Sequence, residues 1–192
     1  FIPITGRPAG WCDMIARFWP VKGVIGENGA FFFSYDHKKK KMIRRYMQNE
    51  KERSEGRKKL EKIKQKVLKD VVGCAVSSDQ FSRVSDLAID FCEDVPELPI
   101  EAVKKIKEIF VEAGATAKIS SIHVNAWFGD YNKLEMTRIF TKEIFDIDLD
   151  RRKDEFVFCG DSPNDEPLFQ YFPISCGVAN VKDFKSEMTH LP

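Results

Sequence analysis

The chain has 192 residues, 43% of them hydrophobic, with 31 Lys/Arg against 30 Asp/Glu and a formal net charge of +1. That is enough apolar material for one well-filled core, or for a core with a smaller appended module. No run approaches the roughly 18–20 apolar residues a bilayer crossing needs, and the opening "FIPITGRPAG" has no basic region followed by an apolar run, so neither membrane insertion nor secretion is indicated.

Residues 1–5, "FIPIT", read as a short buried strand, and Pro8 falls at the first turn of a helix over 9–19, where its missing N–H costs nothing. "VKGVIGENGAFFFSY" predicts a strand, a turn around Asn28 and Gly29, and a second strand rich in aromatics. The next segment, residues 37–69, is strongly basic, with 15 Lys/Arg against 4 Glu, while the remainder is acidic. In it Met42, Ile43, Tyr46 and Met47, and then Leu60, Ile63 and Val67, fall at helical spacing. This predicts two amphipathic helices, or one that breaks near Gly56. "CAVSS" and "DLAIDF" are strand-like, the second alternating Leu87, Ile89 and Phe91 against Asp86, Ala88 and Asp90. Pro99 and Gly114 bracket the clearest helix, and "AKISSIHVNAWF" alternates again. A helix over 134–145, the strand "EFVFC", a short helix at "EPLFQYF" and the strand "ISCGVA" follow.

The two ends thus read as strand–helix–strand units of a parallel sheet, and the middle as a mixture of helices and two-faced strands. The expected fold class is α/β: a Rossmann-like parallel-sheet core from residues 1–31 and 129–192, with an α+β domain inserted at 32–128. The chain opens on Phe1 within a strand-like run and stops at "MTHLP", so it is expected to be a piece of a longer protein. The five cysteines, Cys12, Cys74, Cys92, Cys159 and Cys176, are dispersed without a C-x-x-C pair, which indicates a reducing cytoplasmic setting rather than zinc or a redox couple.

In open α/β sheets, ligands collect at the carboxyl ends of the strands. Three polar clusters fall at such positions: Thr5-Gly6-Arg7, residues 129–133 ("GDYNK") and residues 160–165 ("GDSPND"). A hydroxyl at a helix start, a lysine and two carboxylates suit a phosphoryl group with a hard divalent cation. Crowded carboxylates repel each other unless a cation sits between them, and an all-oxygen set without histidine or thiol favours magnesium over zinc. Each cluster alone has a plainer reading: a helix cap for Thr5, a solvated surface lysine for Lys133, a polar turn for residues 160–165. Their order together carries the argument.

That order resembles the haloacid dehalogenase-like (HAD) superfamily of phosphohydrolases, in the branch with a large cap that includes sucrose-phosphate phosphatase, mannosyl-phosphoglycerate phosphatase and phosphomannomutase-like proteins. "ITGRP" looks like its second motif, "IGENGA" like the strand and turn leading into the cap, "GDYNK" like the third motif, and "GDSPND" with "GVAN" like the fourth. The resemblance implies that Thr5 holds a phosphoryl oxygen, with the Gly6 N–H and Arg7 beside it. It implies that Lys133 neutralises charge, that Asp161 coordinates magnesium directly while Asp165, at the metal site too, supports the metal water or Lys133, and that Asn164 contacts phosphate. In the cap, Arg83, Asp86, Asp90 and His123, near Asn125 and Trp127, would contact the leaving group of a small phosphorylated metabolite such as a sugar phosphate. A plain solvent-facing sheet is the alternative for that surface.

The family's first motif, D-x-D-x-T, supplies the nucleophile for an aspartyl-phosphate, and no such stretch precedes Phe1. "DIDLD" at 146–150 lies after Lys133 and reads as a solvated loop. The chain alone is therefore expected to be inactive, and a longer parent to be a magnesium-dependent phosphatase. A phosphomutase of the same superfamily and a non-catalytic binder of phosphate or nucleic acid are the alternatives. Scarce aromatics in the basic helices argue against nucleic acid.

Overall fold

The structure is a computed structural model and describes residues 1–182, 188 and 189. Residues 1–5 do not form a full strand. They run beside β1 (Val24–Gly26) through one parallel bridge, Ile4 to Ile25, with Thr5 N–H donating to the Ile25 carbonyl and Ile25 N–H to the Pro3 carbonyl, both at 2.9 Å. Pro3 has no N–H to continue the ladder. Helix α1 (Ala9–Phe18) starts after Pro8 and lays Cys12, Ile15 and Ala16 on β1 and on β2 (Phe31–Asp36), where Phe31 and Phe33 stack.

Short turns make this sheet antiparallel rather than parallel, because only a long crossover returns a strand in the same direction. β1 and β2 are joined through a 3-10 turn at Glu27–Gly29, and β3 (Lys41–Tyr46) pairs with β2 in the register Phe31 to Tyr46. The helix expected from the spacing of Met42, Ile43, Tyr46 and Met47 is thus a strand. The Asp36 carboxylate accepts the N–H groups of Lys38 and Lys39, and Lys40 takes φ = +51°, so the chain reverses and the ladder to β2 outweighs local periodicity. Residues 31–46 accordingly belong to the β1 sheet, β2 pairing with β1 and β3 with the other edge of β2. Helix α2 (Glu50–Asp70) starts at an Asn49–Glu52 capping box and passes through Gly56 unbroken. Gly56 is buried, and a Cβ there would meet that of Phe128 at 3.6 Å, an ordinary contact, so the expected break does not occur.

A second, antiparallel sheet has the order β4 (Ala75–Val76), β5 (Leu87–Asp90), β7 (His123–Trp127), β6 (Thr116–Ile119). Leu87, Ile89, Val124 and Ala126 pack on α2 and on α3 (Ile100–Glu112), through Leu60, Val67, Val103, Ile106 and Phe110. Strand alternation then sends Asp90, His123, Asn125 and Trp127 to the opposite face, where Trp127 joins the α1–β2 cluster. That face lies over the ends of the N-terminal strands.

Helix α4 (Lys133–Phe145) covers the far side of β1 and β2, with Met136 and Phe140 against Ile25 and Phe32. α5 (Leu149–Arg152), β8 (Val157–Gly160), α6 (Glu166–Tyr171) and β9 (Ile174–Gly177) follow, and β9 runs parallel to β8. Phe158, Leu168, Phe169 and Phe172 fill their core. Among the described residues no helix is long and apolar enough to cross a membrane.

Candidate functional site

The three polar clusters converge. Lys133 opens α4, whose N-terminus is capped by the Asn132 side chain accepting from Glu135 N–H at 3.0 Å. The β1–β2 turn seats that end of the helix. Gly29, at φ = +102°, lies so close that a Cβ would come within 2.1 Å of the Asn132 carbonyl oxygen, which only glycine allows. The Lys133 ammonium is buried and donates to Asp165 Oδ1 at 2.6 Å and to Asn164 Oδ1 at 3.3 Å. Asp165 Oδ2 accepts the Asp161 N–H at 3.0 Å, and Ser162 Oγ donates to Asn164 Oδ1 at 2.7 Å. Asn164 Nδ2 reaches Asn28 Oδ1 at 3.3 Å, tying the loop after β8 to the turn after β1. Thr5 Oγ1 accepts the Arg7 N–H at 3.0 Å, which leaves its own proton available to donate.

These groups form one wall of a cavity of about 160 Å³, lined by Thr5, Gly6, Arg7, Lys133, Asp161, Ser162 and Asn164. Any side chain at position 6 would press on Asn28, at 3.2 Å. Asp161 is half-buried, and its carboxyl is pushed above its ordinary range by burial and then by the nearby Asp165. Ser162 Oγ donates to Asp161 Oδ1 at 3.4 Å. A hard cation fits there, since Lys133 acts on this carboxylate through space but spends its hydrogen bonds on Asp165 and Asn164, and the surrounding groups offer oxygen. Asp165, expected at the metal or in support of Lys133, does the second: its oxygens accept from Lys133 and from the Asp161 N–H, and it is absent from the cavity wall. Among the described residues no cluster of three or more His, Cys, Asp or Glu could hold a metal alone. Any cation would complete its shell with other oxygens. "DIDLD" lies elsewhere on the surface: Asp146 caps α4 and pairs with Lys142, and Asp150 pairs with Arg138 and Tyr171.

The opposite wall comes from the second sheet: Arg83, Ser120, Ser121, Ile122, His123 and Asn125. Arg83 is buried. Its Nη1 donates to the Gly6 carbonyl at 2.9 Å and to Asp86 Oδ1 at 3.0 Å, and its Nη2 donates to Asp79 Oδ1 at 3.2 Å. Arg7 crosses from the other wall to Glu93 at 2.5 Å and to Asp79 at 3.3 Å. His123 Nε2 lies 3.1 Å from Glu93 Oε2, and burial, then Arg83, lower the ring's pKa against the pull of Glu93.

Two expected contacts do not face the cavity. Asp86, 1% exposed, is sealed between Arg83 and Asn125 Nδ2, and it orients the arginine. Asp90, also 1% exposed, accepts the N–H groups of Cys92, Glu93 and Asp94 and so shapes the loop that presents Glu93. Both sit on the expected face but beneath its surface.

Other residues were not anticipated. Ser120 and Ser121 form the turn between β6 and β7, where the serine pair interrupts an alternation read as continuous. Glu27 is fully buried, and it accepts N–H groups from Ala9 at 3.1 Å, Val84 at 2.9 Å, Ser85 at 2.7 Å and Asp86 at 3.3 Å. One carboxyl thereby joins the start of α1 to the loop that carries Arg83. Burial, and after it Asp86, push the Glu27 carboxyl up to about 8. No local string signals a link between positions so far apart in the chain.

No protein-family model matches the chain, and no curated protein matches it in sequence. Solved structures do match in fold. Protein 0175 of Thermoplasma acidophilum superposes with a TM-score of 0.64 at 18% identity, over 99% of this chain and 74% of that one. The sucrose-phosphatase of Synechocystis, solved with sucrose and phosphate, gives 0.62 at 15% identity, over 93% and 69%. A sugar phosphatase of HAD subclass IIB gives 0.58 at 14% identity, over 99% and 78%. The chain has the α/β fold of these proteins, a Rossmann-like core with a cap.

Proposed function

We propose that this chain, built on the fold of the capped HAD phosphatases, carries the phosphate- and cation-binding part of a magnesium-dependent phosphatase for a small phosphorylated metabolite. The observation that carries the reading is the meeting of Thr5, Lys133 and Asp161 on one wall of a single polar cavity. In it Thr5 donates its free hydroxyl proton to a phosphoryl oxygen, beside the Gly6 backbone. Lys133, held by Asp165 and Asn164, offers its charge at a fixed point, and phosphoryl transfer depends chiefly on such placement of charge. Asp161 would hold magnesium, which supplies further neutralisation of the phosphoryl oxygens when bound. Arg83, His123, Asn125 and the Ser120–Ser121 turn present donors and acceptors for a hydroxyl-rich leaving group. The sugar-phosphate chemistry named for two of the similar structures supports that class. Residues 1–192 contain no D-x-D-x-T stretch, so the reading assigns this chain binding rather than turnover. We divide it into a core that includes the β1–β3 sheet and a cap running from α2 to β7, and the five free thiols fit a cytoplasmic home.

Calorimetric titration with inorganic phosphate, with and without magnesium, tests the proposal. Thr5→Val keeps the shape of the side chain and is expected to weaken phosphate binding about tenfold, the loss of one hydrogen bond to a charged group. Asp161→Asn is expected to abolish the dependence of that binding on magnesium. Phosphate affinity unchanged by Thr5→Val, together with magnesium dependence unchanged by Asp161→Asn, would sink the reading.

A further inference from the structure

The parallel pair β8–β9 places Cys159 directly opposite Cys176, with the sulfurs 3.0 Å apart and both residues exposed. Neighbouring strands lie about 4.7–4.9 Å apart, inside the roughly 4.4–6.8 Å Cα separation that a disulfide spans. Phe158 and Gly160 turn to the buried side of β8, so strand alternation holds Cys159 on the open face, and the register fixes Cys176 beside it. The two positions are 17 residues apart with α6 between them, which is why no cysteine motif shows in the sequence.

We propose that Cys159 and Cys176 form a reversible dithiol–disulfide site, a modification site oxidised by a hydroperoxide. The first thiolate attacks the peroxide: an S–O bond forms, the O–O bond breaks, and the departing alkoxide or hydroxide takes a proton to leave as alcohol or water. The second thiol then attacks the sulfenic sulfur, forming S–S and expelling hydroxide, which leaves as water with the remaining proton. Two thiols lose two electrons in all, and the peroxide gains them. Cys159 immediately precedes Gly160 and Asp161, so the bond would fasten the strand end that presents Asp161 to β9.

The test is a mass measurement on the folded chain. After treatment with hydrogen peroxide and removal of the excess, free thiols are alkylated in denaturant and the protein is digested with trypsin. No Lys or Arg lies between Asp154 and Lys182, so both cysteines fall in one peptide, residues 154–182. That peptide is expected to carry no alkyl group and to be lighter than the dithiol by two hydrogens. Dithiothreitol should restore it, and peptides with Cys12, Cys74 and Cys92 should stay alkylated. In Cys176→Ser the two-hydrogen loss should vanish. Oxidation in denaturant should be at least about tenfold slower, since the fold holds the thiols together. A peptide that stays alkylated or gains oxygen without cross-linking, a bond only between molecules, or equal rates folded and denatured would overturn the assignment.

Discussion

Replacing Asp165 with alanine is expected to lower the unfolding free energy by about 3–5 kcal/mol, the range seen when one partner of a buried ion pair is removed. The Lys133 and Asp165 side chains are only 8% and 5% exposed, so neither water nor salt replaces the lost partner. Two contacts fail together, because Asp165 Oδ2 also receives the Asp161 N–H. Urea denaturation measures the loss, and a double variant supplies the control. With Lys133→Met added to Asp165→Leu, no charge is stranded, and most of the deficit should be recovered. A deficit below about 1 kcal/mol in Asp165→Ala would mean that the ammonium behaves as a surface group. In that event Lys133 would not be the fixed charge on which the proposed phosphate site depends.

Glu27→Ala should be comparably severe. Four N–H donors, from Ala9, Val84, Ser85 and Asp86, lose their acceptor, and a buried unsatisfied donor costs about 1–3 kcal/mol. A total near 4 kcal/mol is expected after local relaxation. Glu27 also gives stability a pH dependence of definite sign. Burial and Asp86 raise its folded pKa to about 8 from an ordinary 4.5, against the pull of the N–H groups. Between those values the folded chain holds a proton that the unfolded chain releases, so this contribution is full below the lower value and is lost as pH rises toward 8. Asp86 is raised in the same direction, again mainly by burial, so the diagnostic is a difference curve. Glu27→Gln should flatten the fall in stability from pH 5 to 8 by up to about 1.4 kcal/mol per pH unit for one proton. Parallel curves for the two proteins would contradict the assigned protonation.

What the sequence makes legible is whatever is written in contiguous residues. The strings around Thr5, Lys133 and Asp161 stand out as polar clusters because the side chains project from single loops at strand and helix ends, and those loops meet in the structure. Helices α1 and α3 were readable from Pro8, and from Pro99 and Gly114, and α4 was expected over nearly its observed span. β3 was not, since its conformation is decided by a partner strand rather than by its own pattern. The depth of Asp86 and Asp90 escaped for a related reason. Alternation tells which side of a sheet a residue takes, but not what lies on top of it. Glu27, with hydrogen-bond partners up to 59 positions away, leaves no local trace.

The arginine contacts across the cavity differ in how far water reaches them, which predicts how solutes exchange. Arg7 and Glu93 are both between a quarter and a third open to water, so their attraction is weakened by dissolved ions. Arg83 is shut away and feels little of that shielding. At high ionic strength the outer stitch slackens while the inner one holds. Solutes should then exchange faster through the Arg7 side, with the floor beside Gly6 still anchored.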